Sequence, residues 1–424
     1  MESQFDDLPE IEKRQDRLLR SMVKHAYETV PYYRRTMRER RITPSDIRNR
    51  NDLDKMPLVK KEDIRSDPSQ FHSRSFRDDQ CLTLRSSGSG TEKPLSVRHD
   101  VDGLLTYLAL TQRWNYPINR ILRKRFGIRQ IYISASSRQG SHITKSVINF
   151  SKSLILPRLV RRISFYSVSD PVRKNLDRLN DEQPDILSSQ GSYFEILTRY
   201  AKENGEQLHA PKVVTFYADH LKESVRETLE KTGSQVFGLY GAAEALGIGY
   251  ECKSHSGYHV NSDFYVVDIM SSDGGLASDN EIGHVVVTDL TNKAMPIINY
   301  ELGDVAALQG CRCSCGARLP LLGKLVGRLQ DCMKLPCGRL LSPNAVRDFF
   351  AETDDVKQYQ IVQESFTKIR VKLVVEELKR NEVERAVRAG LEMLLGKEPE
   401  IDFQYVEGIE MPRSGKIRTV ISEI

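Results

Sequence analysis

Residues 235–244 read Gln235-Val236-Phe237-Gly238-Leu239-Tyr240-Gly241-Ala242-Ala243-Glu244. The first six residues predict a β-strand, and the small residues after them predict a sharp corner. In an open α/β sheet, ligands bind beyond the carboxyl ends of the strands. Glu244 could hold Mg²⁺ against a phosphate at this corner and Tyr240 could stack on a base, although an ordinary strand-to-loop corner has the same pattern.

Short apolar runs alternate with helical patterns on both sides of this stretch, from about residue 80 to 326. Three more strand-like runs are Gln130–Ser134, Val213–Phe216 and His284–Val287. Alternation over this length predicts a layered α/β architecture with a partly parallel sheet.

The pattern changes after residue 327. Ile369–Val374 and Ile401–Val406 alternate as strands, and Asn381 could cap a helix between them. The expected fold class is therefore α/β, with a large layered N-terminal domain of mixed sheets (1–327) and a small α+β C-terminal domain (328–424).

Near the N-terminus, residues 10–30 predict an amphipathic helix that Pro31 ends, and Leu58–Arg65 predicts the start of another helix.

Composition and length place the chain among soluble globular proteins. It has 424 residues, of which 39% are hydrophobic and 29% charged, and no window is apolar enough to be a transmembrane segment. Met1–Asp7 is acidic and lacks the layout of a secretory signal. We therefore expect a cytoplasmic protein.

A basic run extends from Val101 to Arg162, with twelve Lys or Arg residues against one acid, Asp102. Such a bias predicts a positive field for an anionic partner, which could be a phosphorylated substrate, an acidic carrier protein or an anionic membrane surface. A solvated basic face without a partner is the alternative. No motif of specific nucleic-acid recognition is present.

The seven cysteines are clustered, which in a reducing compartment indicates metal ligation before disulfides. Four ligands from two segments could form a closed, structural zinc site: Cys252, His259, Cys313 and Cys315. Cys311 could replace one cysteine and His255 could replace His259, and reduced thiols lining a loop are the alternative.

A candidate phosphate loop follows the apolar run Cys81–Leu84, with the sequence Ser86-Ser87-Gly88-Ser89-Gly90-Thr91-Glu92-Lys93. Its glycines let backbone N–H groups face a phosphate, its hydroxyls add donors, and Lys93 adds charge. Alone, the pattern also fits a flexible Ser/Gly turn.

Two further motifs carry charge. Asn299–Asp304 places a carboxylate after a glycine, where Asp304 could accept both ribose hydroxyls, and Arg328 could add a donor to the same nucleotide. Met411–Arg418 presents Lys416 on a Pro/Ser/Gly-rich turn. A lysine there could neutralise the charge that develops when a carboxylate attacks a phosphate, although a basic tail without a function has the same composition.

In this order, the motifs resemble those of the adenylate-forming superfamily of acyl-CoA synthetases and adenylation domains. The nearest branch is the phenylacetate-CoA ligase and CapK-like group, which His25–Tyr33, Met56–Asp63 and the stretch from Glu251 to Val260 resemble specifically. The resemblance covers nearly the whole chain, and it supports zinc at the cysteines.

The resemblance implies that ATP and a carboxylic acid form an acyl-adenylate and pyrophosphate, after which an acceptor takes the acyl group. It implies a nucleotide site with Mg²⁺ built from Ser86, Ser87, Gly88, Ser89, Gly90, Thr91, Lys93, Tyr240, Gly241, Ala242, Glu244 (Mg²⁺), Asp304 and Arg328. Lys416 would bridge the attacking carboxylate and the α-phosphate, and the C-terminal domain would rotate about a hinge near Gln330.

Three departures from the family pattern affect these expectations. The phosphate loop contains Glu92, Ala243 replaces a hydroxyl that normally contacts the α-phosphate, and Gln330 replaces the usual hinge residue. We favour an active ligase, with a nucleotide-binding scaffold or regulator that no longer turns over as the alternative.

The acceptor is CoA in most of the family, and an amine on a sugar or polymer or a carrier-protein thiol is the alternative. The acyl pocket is expected between Asp185–Tyr193 and the turn at residues 217–220. Tyr193 and Tyr217 there indicate a flat or aromatic acid, although aromatic side chains at such positions pack in the core as often.

Overall fold

The computed structural model describes residues 2–86, 94–124, 126–134, 161–271, 274–309, 313–323, 325–336, 340–351, 353, 355–396, 398–409 and 419–424. The predicted phosphate-loop residues 87–93, the lysine turn at 411–418, Cys311 and much of the basic run lie outside these ranges.

The described α-helices are α1 (Leu8–Thr29), α2 (Pro31–Glu39), α3 (Lys61–Ser66), α4 (Val101–Leu122), α5 (Val172–Glu182), α6 (Gly191–Glu203), α7 (Glu223–Lys231), α8 (Pro343–Ala351) and α9 (Arg380–Leu395).

The described strands are β1 (Cys81–Arg85), β2 (Ser96–Asp100), β3 (Ile128–Ser134), β4 (Arg161–Ser167), β5 (Ile186–Gln190), β6 (Val213–Tyr217), β7 (Gln235–Tyr240), β8 (Gly249–Glu251), β9 (Tyr258–Val260), β10 (Tyr265–Met270), β11 (Gly283–Asp289), β12 (Tyr300–Ala306), β13 (Leu308–Gln309), β14 (Leu321–Leu322), β15 (Gly327–Arg328), β16 (Met333–Lys334), β17 (Leu340–Leu341), β18 (Gln358–Ser365), β19 (Lys368–Val374), β20 (Glu400–Tyr405) and β21 (Val420–Ser422).

The largest sheet has nine strands in the order β13-β14-β9-β8-β7-β6-β5-β3-β4. The neighbouring strands β4, β3, β5, β6 and β7 are parallel to one another. Strands β8, β9, β14 and β13 extend the sheet beyond β7, and each is antiparallel to its neighbour. The predicted α/β class, with a mixed and partly parallel sheet, is therefore confirmed.

Helices cover both faces of this sheet because alternate strand residues point to opposite sides. Leu187 and Val214 pack in a core with α5, α6 and α7. Ile186 and Val213 pack with Trp114 of α4 on the other face. The apolar strands of a parallel sheet are buried on both faces, which explains why they read as continuous apolar runs.

A second sheet, β10-β11-β12-β15, is antiparallel throughout. The N-terminal segment attaches to it through Val59, whose N–H donates to the Asn299 carbonyl at 2.8 Å and whose carbonyl accepts from the Glu301 N–H at 2.9 Å. The prediction that the helix starts at Leu58 is therefore wrong, since this part is extended and α3 begins only at Lys61.

The first predicted helix is confirmed as α1, which ends at Thr29. Only Val30 is extended after α1, and Pro31 is the first residue of the next helix, α2. Proline is tolerated at the first helical position, where its missing N–H would have no partner.

The last hundred residues contain a four-stranded sheet, β20-β19-β18-β21, with α8 and α9. Their own core includes Val371, Val387, Leu391 and Ile401. The predicted strands correspond to β19 and β20, whereas Asn381 is not the helix cap, because α9 begins one residue earlier. We did not predict β18 or α8.

Among the described residues, no helix is long and apolar enough to cross a membrane.

Candidate active site

The corner after β7 is a tight loop that depends on Gly241. A Cβ at this position would lie 2.2 Å from the Leu246 carbonyl oxygen, which no side chain could tolerate without movement of the backbone. The Ala242 N–H donates to the Ala245 carbonyl at 2.8 Å, and the Ala245 N–H returns a bond to Ala242 at 3.2 Å. The loop is therefore fixed by backbone contacts, with Tyr240 before it and Glu244 within it.

Tyr240, Asp304 and Arg328 form one hydrogen-bonded group. The Tyr240 hydroxyl donates to Oδ2 of Asp304 at 2.9 Å, and Nε of Arg328 lies 3.0 Å from Oδ1. Asp304 and Arg328 also face each other directly in the pairing of β12 with β15. Burial and the Asp304 carboxylate raise the pKa of Tyr240, so its hydroxyl stays protonated and can donate.

Glu244 lies in the same region and is almost fully buried, with 4% of its surface exposed. The hydroxyl of Tyr300, in β12, donates to Oε1 of Glu244 at 3.0 Å. Asp304 is the main cause that raises the pKa of Arg328, and Glu244 contributes to the same shift. The three predicted charged residues Glu244, Asp304 and Arg328 are thus brought together around one cluster.

Sequence reasoning missed two residues that support this cluster. Tyr300 lies in the Asn299–Asp304 motif but was given no role. His99, in β2, directs Nε2 to the Ala243 carbonyl at 2.8 Å, and since a carbonyl only accepts, Nε2 carries the proton. Burial lowers the pKa of His99 to about 4, so the ring is neutral near pH 7. The sequence signal that could have identified His99 is a histidine on a strand of alternating polarity beside the predicted phosphate loop.

β1 and β2 form an antiparallel hairpin whose connection carries the predicted phosphate loop. At its base, the Ser86 N–H donates to the Leu95 carbonyl at 2.8 Å, and the Leu95 N–H donates to Oγ of Ser86 at 2.9 Å. Ser86 is therefore occupied in closing the hairpin. Ser87–Lys93 and Lys416 lie outside the described residues.

The predicted metal ligands also come together. Sγ of Cys252 and Sγ of Cys313 are 3.4 Å apart, Sγ of Cys315 and Nε2 of His259 are 3.3 Å apart, and all four ligand atoms lie within 4.8 Å of one another. Tetrahedral zinc with bonds of about 2.3 Å to sulfur needs sulfur atoms roughly 3.8 Å apart. Three thiols and one imidazole at these distances fit the ion.

His255, the alternative imidazole, is engaged elsewhere. Its Nδ1 lies 3.0 Å from a guanidinium nitrogen of Arg226 and 3.6 Å from Glu251. Burial raises the pKa of Cys252 and raises that of Cys315 to about 12, whereas at Cys313 hydrogen bonds outweigh burial and lower the pKa. A cation would therefore have to displace thiol protons as it binds.

Part of the basic run is internal rather than exposed. Arg113 is buried and donates to Oδ1 of Asp263 at 2.9 Å, and Lys124 pairs with Asp185 at 2.6 Å. Arg120 and Arg123, at the end of α4, are exposed. The described part of the run thus supplies structural cations as well as a basic surface.

Comparisons with known proteins find similar sequences and a similar fold. A family model described as the CapK C-terminal domain matches residues 336–423. The phenylacetate-coenzyme A ligase of Thermus thermophilus is 24% identical over 361 residues, which cover 82% of this chain and 77% of that protein. The Escherichia coli phenylacetate-coenzyme A ligase is 26% identical over 70% of this chain and 67% of that protein.

Among solved structures, a 2-hydroxyisobutyryl-CoA ligase in the postadenylation state superposes with a TM-score of 0.77. The superposition covers 98% of this chain and 90% of that one at 18% identity, which establishes a common fold. This chain is therefore similar in sequence to the phenylacetate-coenzyme A ligases over most of its length, and it shares the fold of the 2-hydroxyisobutyryl-CoA ligase.

Proposed function

We propose that the protein is an AMP-forming acid ligase. It activates a carboxylic acid with ATP, forming an acyl-adenylate and pyrophosphate, and then passes the acyl group to CoA. The observation that carries this proposal is the convergence of Glu244, Asp304 and Arg328 at the carboxyl edge of the parallel strands, beside the hairpin that holds the phosphate loop. Open α/β sheets bind their ligands at this edge.

The charged groups have distinct roles in the proposed reaction. Asp304 accepts the ribose hydroxyls, and Arg328 and Tyr240 hold its carboxylate in place beforehand. A carboxylate has about four acceptor positions, so these two contacts leave capacity for a ligand. Gly241 and Ala242 shape the loop, and Glu244 would hold Mg²⁺ against the phosphates, with Tyr300 fixing its orientation.

Lys416 is proposed to bridge the attacking carboxylate and the α-phosphate, and Ser87–Lys93 to bind the β- and γ-phosphates. The first step moves no proton. The acid's carboxylate oxygen forms a bond to the α-phosphorus while the bond to the bridging oxygen of pyrophosphate breaks. Cations and donors that stabilise the charge in this transition state supply the catalysis.

A pyrophosphate-exchange assay over a panel of carboxylic acids tests this function. We expect at least one acid to support exchange and Lys416→Ala to reduce it by about 100-fold or more, since a fixed charge at a developing oxyanion has an effect of that order. Lys231→Ala, which removes an exposed lysine on α7, is the control and should leave exchange unchanged.

The competing function is a nucleotide-binding scaffold of the same fold, which the lost hydroxyl at Ala243 and the acidic Glu92 motivate. ATP binding without exchange for any acid would favour the scaffold and contradict the ligase. For an active ligase, thioester formation with CoA and amide formation with an added amine distinguish the acceptors, and a carrier-protein thiol is the third.

We also propose that Cys252, His259, Cys313 and Cys315 hold a structural Zn²⁺, supported by the distances among their ligand atoms. Metal analysis should find about one zinc per chain, and Cys252→Ser should lose it and lower the melting temperature. Cys81→Ser is the matched control, because this thiol lies in β1, outside the cluster. A zinc-free protein whose melting temperature is unaffected by chelators would contradict the site.

The exposed part of the basic run is proposed to meet an anionic partner, and its described members are Arg120, Arg123, Lys124, Arg129 and Arg162. Co-sedimentation with liposomes that contain anionic lipid tests one such partner. Binding that weakens as salt rises, and that Arg120→Ala with Arg123→Ala weakens further, would support an electrostatic contact. The absence of any binding to anionic liposomes would exclude the membrane as partner.

A further inference from the structure

Three partly exposed tyrosines lie between the central sheet and α4, and we call the space among their rings the crevice. Tyr107, Tyr132 and Tyr217 each keep some accessible surface, and yet desolvation raises the pKa of all three hydroxyls. Tyr132 lies within electrostatic range of both other hydroxyls. These three rings are therefore partly open to solvent on the α4 side of the sheet.

The crevice adjoins the candidate active site. A Cβ on Gly247, three residues after Glu244, would lie 3.1 Å from the Tyr107 ring. Tyr217 ends β6 at the carboxyl edge of the sheet, the edge at which the Tyr240 loop leaves β7. Tyr193, the other predicted aromatic contact, instead packs in the core on the opposite face of the sheet, and its hydroxyl accepts from Asn175 at 2.7 Å.

Gln190 points to the same face as the crevice. Ile186 and Val213 pack with α4, so the residues four positions later on these strands, Gln190 and Tyr217, project to the same side. Gln190 and Tyr217 are also direct partners in the pairing of β5 with β6.

The side-chain carbonyl of Gln190 has no hydrogen-bond donor among the described residues, although only 5% of the residue is exposed. Deeper in the sheet the polar groups satisfy one another. Nε2 of Gln130 donates to Oγ of Ser188 at 3.0 Å, and Ser188 shares a 2.6 Å bond with Thr215. Buried polar groups in folded proteins nearly always have partners, so an orphaned amide beside a crevice indicates a missing ligand group.

Tyr107 supplies a second open position. Within the described ranges its hydroxyl makes no hydrogen bond, whereas Ser134 lies close enough to the Tyr217 hydroxyl, and Ser188 and Gln130 to that of Tyr132, to oppose the rise in the pKa of each tyrosine. A ligand in this crevice therefore meets a free phenol as well as a free amide carbonyl. A ligand hydroxyl group can pair with either position, because it donates one bond and accepts others.

We infer that the acid activated at this site bears a hydroxyl group, which donates to Oε1 of Gln190 within the crevice of Tyr107, Tyr132 and Tyr217. This inference rests on the proposed ligase function and narrows its substrate class. Gln190 is then the residue that determines specificity. An unsubstituted acid leaves the amide unpaired, and sites built to bond a substrate hydroxyl reject analogues that lack it.

Pyrophosphate exchange with matched acids tests the inference. The acids are phenylacetate, its 2-, 3- and 4-hydroxy derivatives and the corresponding methoxy derivatives, together with hexanoate and 6-hydroxyhexanoate. We expect the kcat/KM of at least one hydroxy acid to exceed that of both its parent and its methoxy analogue by tenfold or more. Gln190→Leu should reduce this preference at least fivefold.

Gln235→Leu is the matched control, since Gln235 is exposed at the opposite, amino end of the parallel strands, and it should preserve the preference. If Gln190→Leu does not fold, the ratios measured with the unaltered protein decide the question. Parent acids that exchange as well as every hydroxy acid would overturn the inference and leave the ligase function standing. ATP binding without exchange for any acid would overturn both.

Discussion

His99 shows how much a single buried side chain contributes to the site. Its imidazole links β2, in the phosphate-loop hairpin, to the backbone beside Glu244, and both partners of the bond are nearly inaccessible to water. Without this donor, the Ala243 carbonyl would be left buried and unpaired, which costs about 1–3 kcal/mol. His99 is thus a positioning residue that does not itself touch substrate.

His99→Phe should lower kcat for pyrophosphate exchange by roughly 10- to 100-fold, because small displacements of catalytic groups have effects of this size. KM for ATP should change less than kcat. His99→Gln, whose amide can donate to Ala243, should restore part of the rate. His209→Phe is the matched control, since His209 also bonds a carbonyl, that of Pro184 at 3.0 Å, away from the loop. Equal losses in both Phe variants would contradict the positioning role.

Asp289 is a second buried group with a consequence that can be measured. Its Oδ1 accepts from both the N–H and the hydroxyl of Thr291 at 2.7 Å, and burial raises its pKa to about 6. Between pH 4 and 6 the folded state holds a proton that the unfolded chain has released. The contribution of Asp289 to stability therefore falls as the pH rises through this window, by about 3 kcal/mol in total.

Asp289→Asn should remove this dependence. Its unfolding free energy relative to the unaltered protein should increase between pH 4 and 6 and stay constant above pH 6, as measured by urea denaturation. If the difference in unfolding free energy between the two proteins does not change with pH, Asp289 does not titrate in this range.

At the scale of elements, the loop after β7 depends on backbone geometry more than on side chains. A side chain at position 241 would collide with the Leu246 carbonyl and would have to push the loop open. Gly241→Ala should lower the unfolding free energy by about 1–3 kcal/mol, as overpacking commonly does. Because Tyr240 and Glu244 flank this contact, exchange activity should also fall.

Gly408→Ala serves as the control for this glycine. A Cβ there would meet nothing within 4 Å, and the residue is not among those with positive φ. Its effect on stability should stay within about 0.5 kcal/mol. A Gly241→Ala protein that is as stable and as active as Gly408→Ala would show that the loop is not held by this contact.

At the scale of the whole molecule, the described core clusters separate along the chain. One cluster draws all its buried members from Met333 to Val420, whereas the other four contain buried residues no later than Leu322. This separation supports the proposal of two domains, 1–327 and 328–424. Asp304 and Arg328 lie on opposite sides of that boundary, so their ion pair would join the parts.

The core from Met333 to Val420 and the cores that end by Leu322 should unfold partly independently of each other. Leu391→Ala and Leu197→Ala each empty a fully buried position in a different core cluster, and each should cost about 2–5 kcal/mol. Denaturation can be followed by amide hydrogen exchange. We expect Leu391→Ala to weaken the protection of backbone amides mainly in β18–β20, and Leu197→Ala to weaken it mainly in β5 and β6. Equal loss of protection in all these strands in both variants would indicate one cooperative unit.

The amino-acid sequence by itself determined the fold class and strands such as β3, β6, β7 and β11, and it singled out the charged residues that the fold brings together. Periodicity is a local property, and a strand such as β7 or β19 shows it within six or seven residues. The motifs with Glu244, Asp304 and Arg328 were recognisable for the same reason, because each fits within a few positions. Leu58–Val59 misled because its extended form is set by pairing with β12, which is distant in sequence.

Only the tertiary structure decided which side chains meet. Tyr300 reaches Glu244 across 56 positions of sequence, Tyr240 reaches Asp304 across 64, and His99 reaches Ala243 across 144. The unpaired side-chain carbonyl of Gln190 and the position of Tyr193 on the other face of the sheet likewise depend on how the strands pair and pack. Hydrogen bonds act over about 3 Å, so they follow the positions that folding produces, and local sequence patterns carry no record of them.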